Sequence, residues 1–172
     1  VRVRHPWWAT QGVQVKINGV KVNAVKYTHG YLAIDRLWKN NDRIEIELPM
    51  SLYTEAMPDN TNRIAVLYGP LVLAGQLGKE MPDPVYGAPV LLTDSKNVSD
   101  WVQPAGGPLE FKLKGVGKPG DVELAPFYKT YDQYYSVYWD YFSNKDWIAR
   151  QAAYEEEKKK QKALDDRTID IM

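Results

Sequence analysis

The stretch of residues 63–75, which reads RIAVLYGPLVLAG, constrains the fold of this chain more than any other. It is the longest apolar run, and Gly69-Pro70 divides it into two pieces that are each too short for a core helix. Proline cannot donate a hydrogen bond to a strand ladder and glycine permits a bend, so the run predicts two buried strands joined by a kink. We interpret residues 63–75 as the hinge between two packed units.

Before this stretch the chain alternates between apolar and polar residues, as a β-meander does. The clearest local signal is a hairpin at residues 13–22, because Asn18-Gly19 is the favoured pair for a type I′ turn. Further strands are predicted at residues 30–36, 43–48 and 51–57. In the second of these, three residues are expected to face inward: Ile44, Ile46 and Leu48. Short strands with turns at this spacing are typical of an antiparallel sandwich or jelly roll.

The chain changes character after residue 75. A turn-rich segment leads to strands predicted at residues 109–114, where a second small sheet begins, and at residues 134–139, which carry aromatic residues on both faces. After residue 142 the pattern indicates a helix, because Ser143 and Asp146 are spaced as a variant of the capping box. Glu156 and Lys160 then form an i,i+4 pair on a mostly solvated face.

These observations predict a mainly β fold class: an antiparallel, jelly-roll-like β-sandwich, then a smaller β unit, then a C-terminal α-helix. The predicted domains are residues 1–75 for the sandwich, 76–142 for the aromatic-rich β unit, and 143–172 for the helix and the start of a linker. The chain opens with the strand pattern VRVR and stops as another extended segment begins. We therefore interpret it as an excised fragment of a longer protein.

Composition argues against several classes of function. The 22 basic and 22 acidic residues balance, whereas nucleic-acid binders and polybasic membrane-surface proteins usually carry a basic excess. No apolar run reaches the length of a membrane span, and no targeting signal is present. The absence of cysteine excludes disulfides, thiolate metal sites and a cysteine nucleophile. His5 and His29 are not spaced as ligands on one element, so we expect no catalytic residue, metal or cofactor.

The aromatic residues are the one feature of the sequence that indicates a binding function. The chain has 6 tryptophans and 12 tyrosines, and 8 of these 18 residues lie within residues 127–147. Sugars stack on exposed aromatic faces, because their C–H edges meet the negative face of the ring much as a cation does. A carbohydrate platform is therefore predicted from four residues: Tyr128, Tyr131, Tyr134 and Trp139. The alternative is that these rings fill a small core or an interface, and our leading hypothesis adopts this simpler interpretation.

Several phrases occur together in a recognisable order. They are RHPWWA (residues 4–9), VKING (15–19), GYLAI (30–34), RLW (36–38), residues 42–49, RIAVLYGPLV (63–72), and PFY (126–128) with residues 134–139. In this order they resemble the β-L-arabinofuranosidase-like enzymes of glycoside hydrolase family 127. The resemblance runs through most of residues 1–142 and concerns the region downstream of the catalytic barrel.

The resemblance implies a role without catalysis. Enzymes of the family hold a glutamate acid/base and a zinc-bound cysteine nucleophile in an (α/α)6 barrel, and none of these positions has a counterpart in this chain. What resembles the family is its pair of β-sandwich modules. We therefore expect a non-catalytic accessory fragment that supports the barrel and subunit association; the alternative is a carbohydrate-binding module that uses the aromatic residues of 128–139.

The resemblance also implies the surroundings of the chain. The parent protein is expected to be a periplasmic or extracellular glycoside hydrolase, secreted and similar to those of gut bacteria, that acts on arabinofuranosides or related plant glycans. The expected partners are the catalytic barrel of the same polypeptide, a second copy paired through an open strand edge near Val1, and, in the alternative, a glycan. Nucleic acid and membrane are not expected partners.

Overall fold

The computed structural model describes residues 1–22, 26–80 and 89–169. They form mainly β-structure with one C-terminal α-helix, which confirms the predicted fold class; the jelly-roll strand order stays a prediction. No helix among the described residues is long and apolar enough to cross a membrane. The strands are β1 (Arg2–Arg4), β2 (Gln14–Ile17), β3 (Val20–Lys21), β4 (Lys26–Thr28), β5 (Tyr31–Ala33), β6 (Ile44–Glu47), β7 (Leu52–Ala56), β8 (Arg63–Tyr68), β9 (Leu71–Gly78), β10 (Val90–Leu92), β11 (Val102–Pro104), β12 (Phe111–Leu113), β13 (Gly117–Lys118), β14 (Glu123–Pro126), β15 (Tyr134–Ser136) and β16 (Trp139–Phe142).

The chain divides into two compact units. The first unit is Val1–Ser51 with Tyr68–Pro70, and the second is Leu52–Leu67 with Leu71–Met172. Compactness does not show which segments fold on their own, so the domains at residues 1–75, 76–142 and 143–172 stay a prediction.

The first unit is a small sandwich of two antiparallel sheets. One sheet has the strand order β1-β5-β4 and the other β3-β2-β6. Their buried faces meet in a core of alternating strand residues, because successive side chains of a strand point to opposite faces. The core residues are Val15, Ile17, Leu32 and Ile34, and half-buried apolar side chains such as Trp38 pack against them.

The hairpin between β2 and β3 confirms the predicted turn. Asn18 and Gly19 both have positive φ, at 51° and 78°, as a type I′ turn requires. The Asn18 side chain also holds the neighbouring loop: its Nδ2 donates to Asp42 at 2.8 Å and its Oδ1 accepts from the Arg43 N–H at 2.9 Å. The backbone N–H of Lys39 and then the Asn18 amide lower the pKa of Asp42, since both donate to the carboxylate.

The second unit is organised around a ten-stranded sheet of described residues. Its order is β11-β12-β14-β9-β8-β16-β10-β13, with β15 also paired to β9 and β7 to β8. The pairs β11-β12, β12-β14, β14-β9, β15-β9, β16-β8 and β10-β13 are antiparallel, whereas β10 runs parallel to β16. The apolar stretch of residues 63–75 thus supplies two adjacent inner strands, β8 and β9, and Gly69-Pro70 is the turn between them.

Two strand predictions are corrected by these pairings. Residues 109–114 do not begin a second sheet, because β12 joins the sheet of β8 and β9 through β14. Residues 134–139 are not one strand but two, β15 and the start of β16, which lie on different neighbours. Ile46 lies on the core side of its sheet as predicted, because it is opposite the buried Val15, but 41% of its surface is exposed; Ile44, on the same strand, packs against the core of the first unit.

The helix α1 (Asn144–Ile169) begins where its capping residues predict. Ser143 Oγ accepts a hydrogen bond from the Asp146 N–H at 3.1 Å and donates to the Asp146 carboxylate at 2.6 Å. The predicted i,i+4 ion pair is also present, since Lys160 Nζ lies 3.0 Å from the Glu156 carboxylate. Tyr154 is the buried residue of a helix that is otherwise mostly exposed.

Candidate carbohydrate-binding surface

Three of the four aromatic residues predicted to bind carbohydrate are exposed. Tyr128 and Tyr131 expose 64% and 79% of their surface, and Tyr134 exposes 43%. All three lie between the end of β14 and β15, a short strand paired with β9. We call these three residues the tyrosine surface.

A compact turn positions the first two tyrosines. A short 3-10 helix, Phe127–Lys129, follows β14 and ends at Thr130, which is buried. The Thr130 N–H and Oγ1 both donate to the Phe127 carbonyl, at 3.1 and 2.6 Å. The side chain and the backbone N–H of Thr130 thus bind the same carbonyl and stabilise the turn. The neighbouring rings of residues 128 and 131 project from this turn into solvent.

Tyr134 borders a shallow cleft of about 340 Å³. The other lining residues are Lys79, Asp132 and Gln133, and the Lys79 ammonium lies 3.2 Å from the Asp132 carboxylate. Gln133 is held by a 3.4 Å hydrogen bond from its Nε2 to Gln76 Oε1. An exposed ion pair of this kind contributes little to stability, but its donors and acceptors are accessible to the hydroxyl groups of a ligand.

Trp139, the fourth predicted residue, is buried and cannot stack on a ligand. Only 1% of its surface is exposed, because its ring packs closely over Gly75 in the inner strand β9. Its indole N–H is buried without a hydrogen-bond partner among the described residues. The alternation that placed Trp139 beside exposed tyrosines breaks at residues 137–138, where Ser136 Oγ donates to the Tyr138 carbonyl at 2.6 Å.

The arrangement is suited to weak binding of a neutral polar ligand. It combines exposed aromatic faces with an ion pair and an amide, and no three His, Cys, Asp or Glu residues are grouped for a metal ion in the described part of the chain. The sequence alone did not identify Lys79, Asp132 and Gln133 as residues of this surface. Asp132 and Gln133 lie within the tyrosine-rich run, so the sequence there indicates polar residues beside the rings. Lys79 follows β9, and no nearby residue in the sequence indicates that it belongs to this surface. Carbohydrate binding by the tyrosine surface stays a prediction.

Comparison with known proteins identifies the first part of the chain. Residues 1–50 match the family model described as Beta-L-arabinofuranosidase, GH127 middle domain. No curated protein matches the chain in sequence.

Solved structures of glycoside hydrolases share its fold. A GH127 beta-L-arabinofuranosidase from Geobacillus stearothermophilus T6 matches with 20% identity and a TM-score of 0.53, over 82% of this chain and 26% of that one. A glycoside hydrolase matches with 18% identity and a TM-score of 0.55, over 81% and 27% of the two chains. A GH127 beta-arabinofuranosidase matches with 21% identity and a TM-score of 0.52, over 76% and 23%.

These matches confirm the resemblance that the ordered phrases predict. The chain spans about a quarter of the length of the solved structures, and most of its own length is covered by them. Residues 1–50 are therefore similar to a glycoside hydrolase-associated domain, and most of the chain shares the fold of glycoside hydrolase structures.

Proposed function

Because its first 50 residues match a GH127 middle domain, we propose that this chain is a non-catalytic accessory region of a glycoside hydrolase. In this proposal the chain supports the catalytic barrel of a longer polypeptide and contributes to association of its subunits. The match of residues 1–50 is the observation that carries the proposal. The parent enzyme would act on arabinofuranosides or related plant glycans outside the cytoplasm.

The chemistry of the chain supports a role without catalysis. The resemblance implies a cysteine nucleophile held by zinc and further cysteines, and this chain contains no cysteine. A glycosidase can instead use two carboxyl groups, which must flank one bond at a separation of about 5 to 10 Å. Of the described residues that line the cleft beside Tyr134, one carries a carboxylate, Asp132, and that group is paired with Lys79.

Exposed apolar side chains support a role in assembly. In the second unit the aromatic rings of Phe127, Tyr135 and Tyr138 are each more than two-fifths exposed, next to the tyrosine surface. Protein interfaces are enriched in tyrosine and phenylalanine, because such rings bury much area at a small cost in side-chain entropy. We infer that the surface of the catalytic barrel covers this aromatic region.

Two measurements on the purified chain test the accessory role. With a chromogenic β-L-arabinofuranoside we expect no hydrolysis above the buffer rate, and turnover that co-purifies with the chain would overturn the proposal. The second measurement is calorimetric titration of the chain with the catalytic barrel of its own polypeptide. We expect saturable binding that is weaker in the double variant Tyr128→Ser/Tyr131→Ser. Binding should be retained in Leu37→Ser, which also replaces an exposed apolar side chain by serine, at a residue of the first unit that is 92% exposed.

The tyrosine surface favours carbohydrate binding as a second candidate function. The three exposed rings and the polar cleft beside Tyr134 have the components of a sugar site, namely stacking faces with a few hydrogen-bonding groups. Titration with neutral arabinose oligosaccharides distinguishes this function from assembly. If the Tyr128→Ser/Tyr131→Ser variant loses oligosaccharide binding but keeps its affinity for the barrel, the surface serves the glycan; the opposite pattern assigns it to assembly.

A further inference from the structure

A second cleft with an exposed aromatic ring lies in the first unit. It has a volume of about 310 Å³ and is lined by residues that include Arg4, His5, Trp7, His29 and Tyr31. The indole of Trp7 is 67% exposed and the ring of Tyr31 is 43% exposed. This volume is at the lower end of the range for small-molecule sites.

The backbone around the cleft is well defined by hydrogen bonds. β1 and β5 pair so that Arg4 lies opposite Tyr31, and the His5 N–H donates to the Gly30 carbonyl at 2.8 Å. His29 and Gly30 form the turn into β5, with φ values of 50° and 77°. The two sides of the cleft are therefore joined by a strand ladder.

The segment that carries Trp7 is closed on itself. The Ala9 N–H donates to the Pro6 carbonyl at 3.1 Å, and Ala9 is fully buried. His5 Nε2 lies 3.1 Å from the Ala9 carbonyl. A carbonyl can only accept, so this nitrogen carries the hydrogen. The exposed indole thus stands on a turn held at both ends, which limits the entropy lost when a ligand stacks on it.

The charge of the cleft is basic. None of the described residues that line it is acidic, and no described residue makes a hydrogen bond or ion pair with the side chains of Arg4 or His29. Arg2 lies on the same face of β1, two residues before Arg4, because strand side chains alternate. An anion in the cleft would therefore meet a guanidinium that is not already paired.

We propose that this cleft binds an acidic saccharide, a sugar ring that bears a carboxylate. The C–H face of the sugar stacks on Trp7, and the carboxylate accepts two parallel hydrogen bonds from the Arg4 guanidinium. The imidazole of His29 and the hydroxyl of Tyr31 bind ring hydroxyls. The proposal concerns residues other than the tyrosine surface and does not rest on the accessory role.

Calorimetric titration of the full 172-residue chain with trigalacturonate tests the proposal directly. We expect saturable binding that Trp7→Ala weakens about tenfold, because stacking is lost, and that Arg4→Gln weakens by a similar factor, because the charged hydrogen bonds are lost. Lys21→Gln is the control, since it removes one positive charge from an exposed residue of β3, in the other sheet of the first unit. We expect its affinity to change less than about twofold at 0.15 M salt, where surface charges are screened.

Further probes separate the acidic saccharide from other ligands of similar chemistry. Neutral arabinotriose should bind more weakly than trigalacturonate and should lose nothing in Arg4→Gln, whereas inorganic phosphate should not compete at equal concentration. Equal competition by phosphate would reduce the cleft to a general anion site and overturn the proposal. Absence of binding at 10 mM trigalacturonate, or full affinity in both Trp7→Ala and Arg4→Gln, would also overturn it.

Circular dichroism of each variant controls for folding. Arg4 and Trp7 are exposed, so we expect unchanged spectra. If Trp7→Ala does not fold, Arg4→Gln and the comparison of charged with neutral sugar still decide the proposal.

Discussion

Gly75→Ala should destabilise the second unit, because no room exists for a side chain at this position. Gly75 lies in β9 between two pairing strands, opposite Leu124 of β14 and Ser136 of β15. A Cβ atom there would lie 2.5 Å from Cη2 and 2.6 Å from Cζ2 of Trp139, and 3.2 Å from a methyl group of Val122. Ordinary carbon–carbon contacts are about 3.5 to 4 Å, so the indole would have to move by about 1 Å.

The indole cannot make this movement without disturbing the core. Trp139 is only 1% exposed, and its strand is held by partners on both sides. Forcing an extra methyl group into a packed core costs about 1 to 3 kcal/mol. Replacing glycine by alanine within a strand recovers roughly 0.5 to 1 kcal/mol of backbone entropy. The central values of these two contributions leave a net loss of about 1 kcal/mol in the free energy of unfolding.

Urea unfolding followed by far-UV circular dichroism measures this loss. We expect a lower midpoint for Gly75→Ala with an unchanged dependence on urea, because the surface exposed on unfolding is the same. Gly106→Ala is the matched control: a Cβ atom there has no neighbour within 4 Å, and its backbone lies outside the left-handed region. A Gly75→Ala protein as stable as Gly106→Ala would refute close packing of the indole on β9 and the burial of Trp139.

Three further changes test local features by the same unfolding measurement. Asp121→Asn should lower the free energy of unfolding by about 1 to 2 kcal/mol, because the carboxylate accepts hydrogen bonds from the N–H groups of residues 115–117. Burial raises the pKa of Asp121, but these N–H donors outweigh burial and lower it. The carboxylate therefore stabilises the fold above the unfolded pKa of about 3.9, and its contribution should disappear as the pH falls through the lower folded pKa. Ser143→Ala should cost about 1 kcal/mol and reduce helical signal, because the cap of α1 is lost. Gly19→Ala should cost about 1 to 2 kcal/mol, because alanine disfavours the φ of 78°, and equal stability would argue against the type I′ turn.

The features that sequence predicted well depend on neighbouring residues. The turn at Asn18-Gly19 follows from the few residue types that tolerate positive φ, and the start of α1 follows from the hydroxyl of Ser143 three residues before Asp146. Both signals act within a few positions of the chain. They can therefore be interpreted without knowledge of the tertiary fold.

The features that sequence did not predict depend on pairing over long distances. Alternation shows which residues share a face but not which strands lie beside them. It could not show that β15 and β16 have different neighbours, or that β10, from a distant segment, would lie parallel to β16. For the same reason the partner of Asp132 was not predicted, since Lys79 is 53 residues away in sequence.

Aromatic residues of this chain differ in burial according to what packs against their rings. Trp139 is buried with its ring against Gly75 of β9, whereas Trp7 and Tyr131 lie outside the strands and are exposed. The two exposed aromatic sites then differ in charge. In the cleft beside Tyr134 the Lys79 ammonium is paired with Asp132, while no carboxylate lines the cleft of the first unit around Arg4 among the described residues. Stacking tolerates many sugars, so under our proposals charge would decide between them, with a neutral glycan expected at the first site and an acidic one at the second.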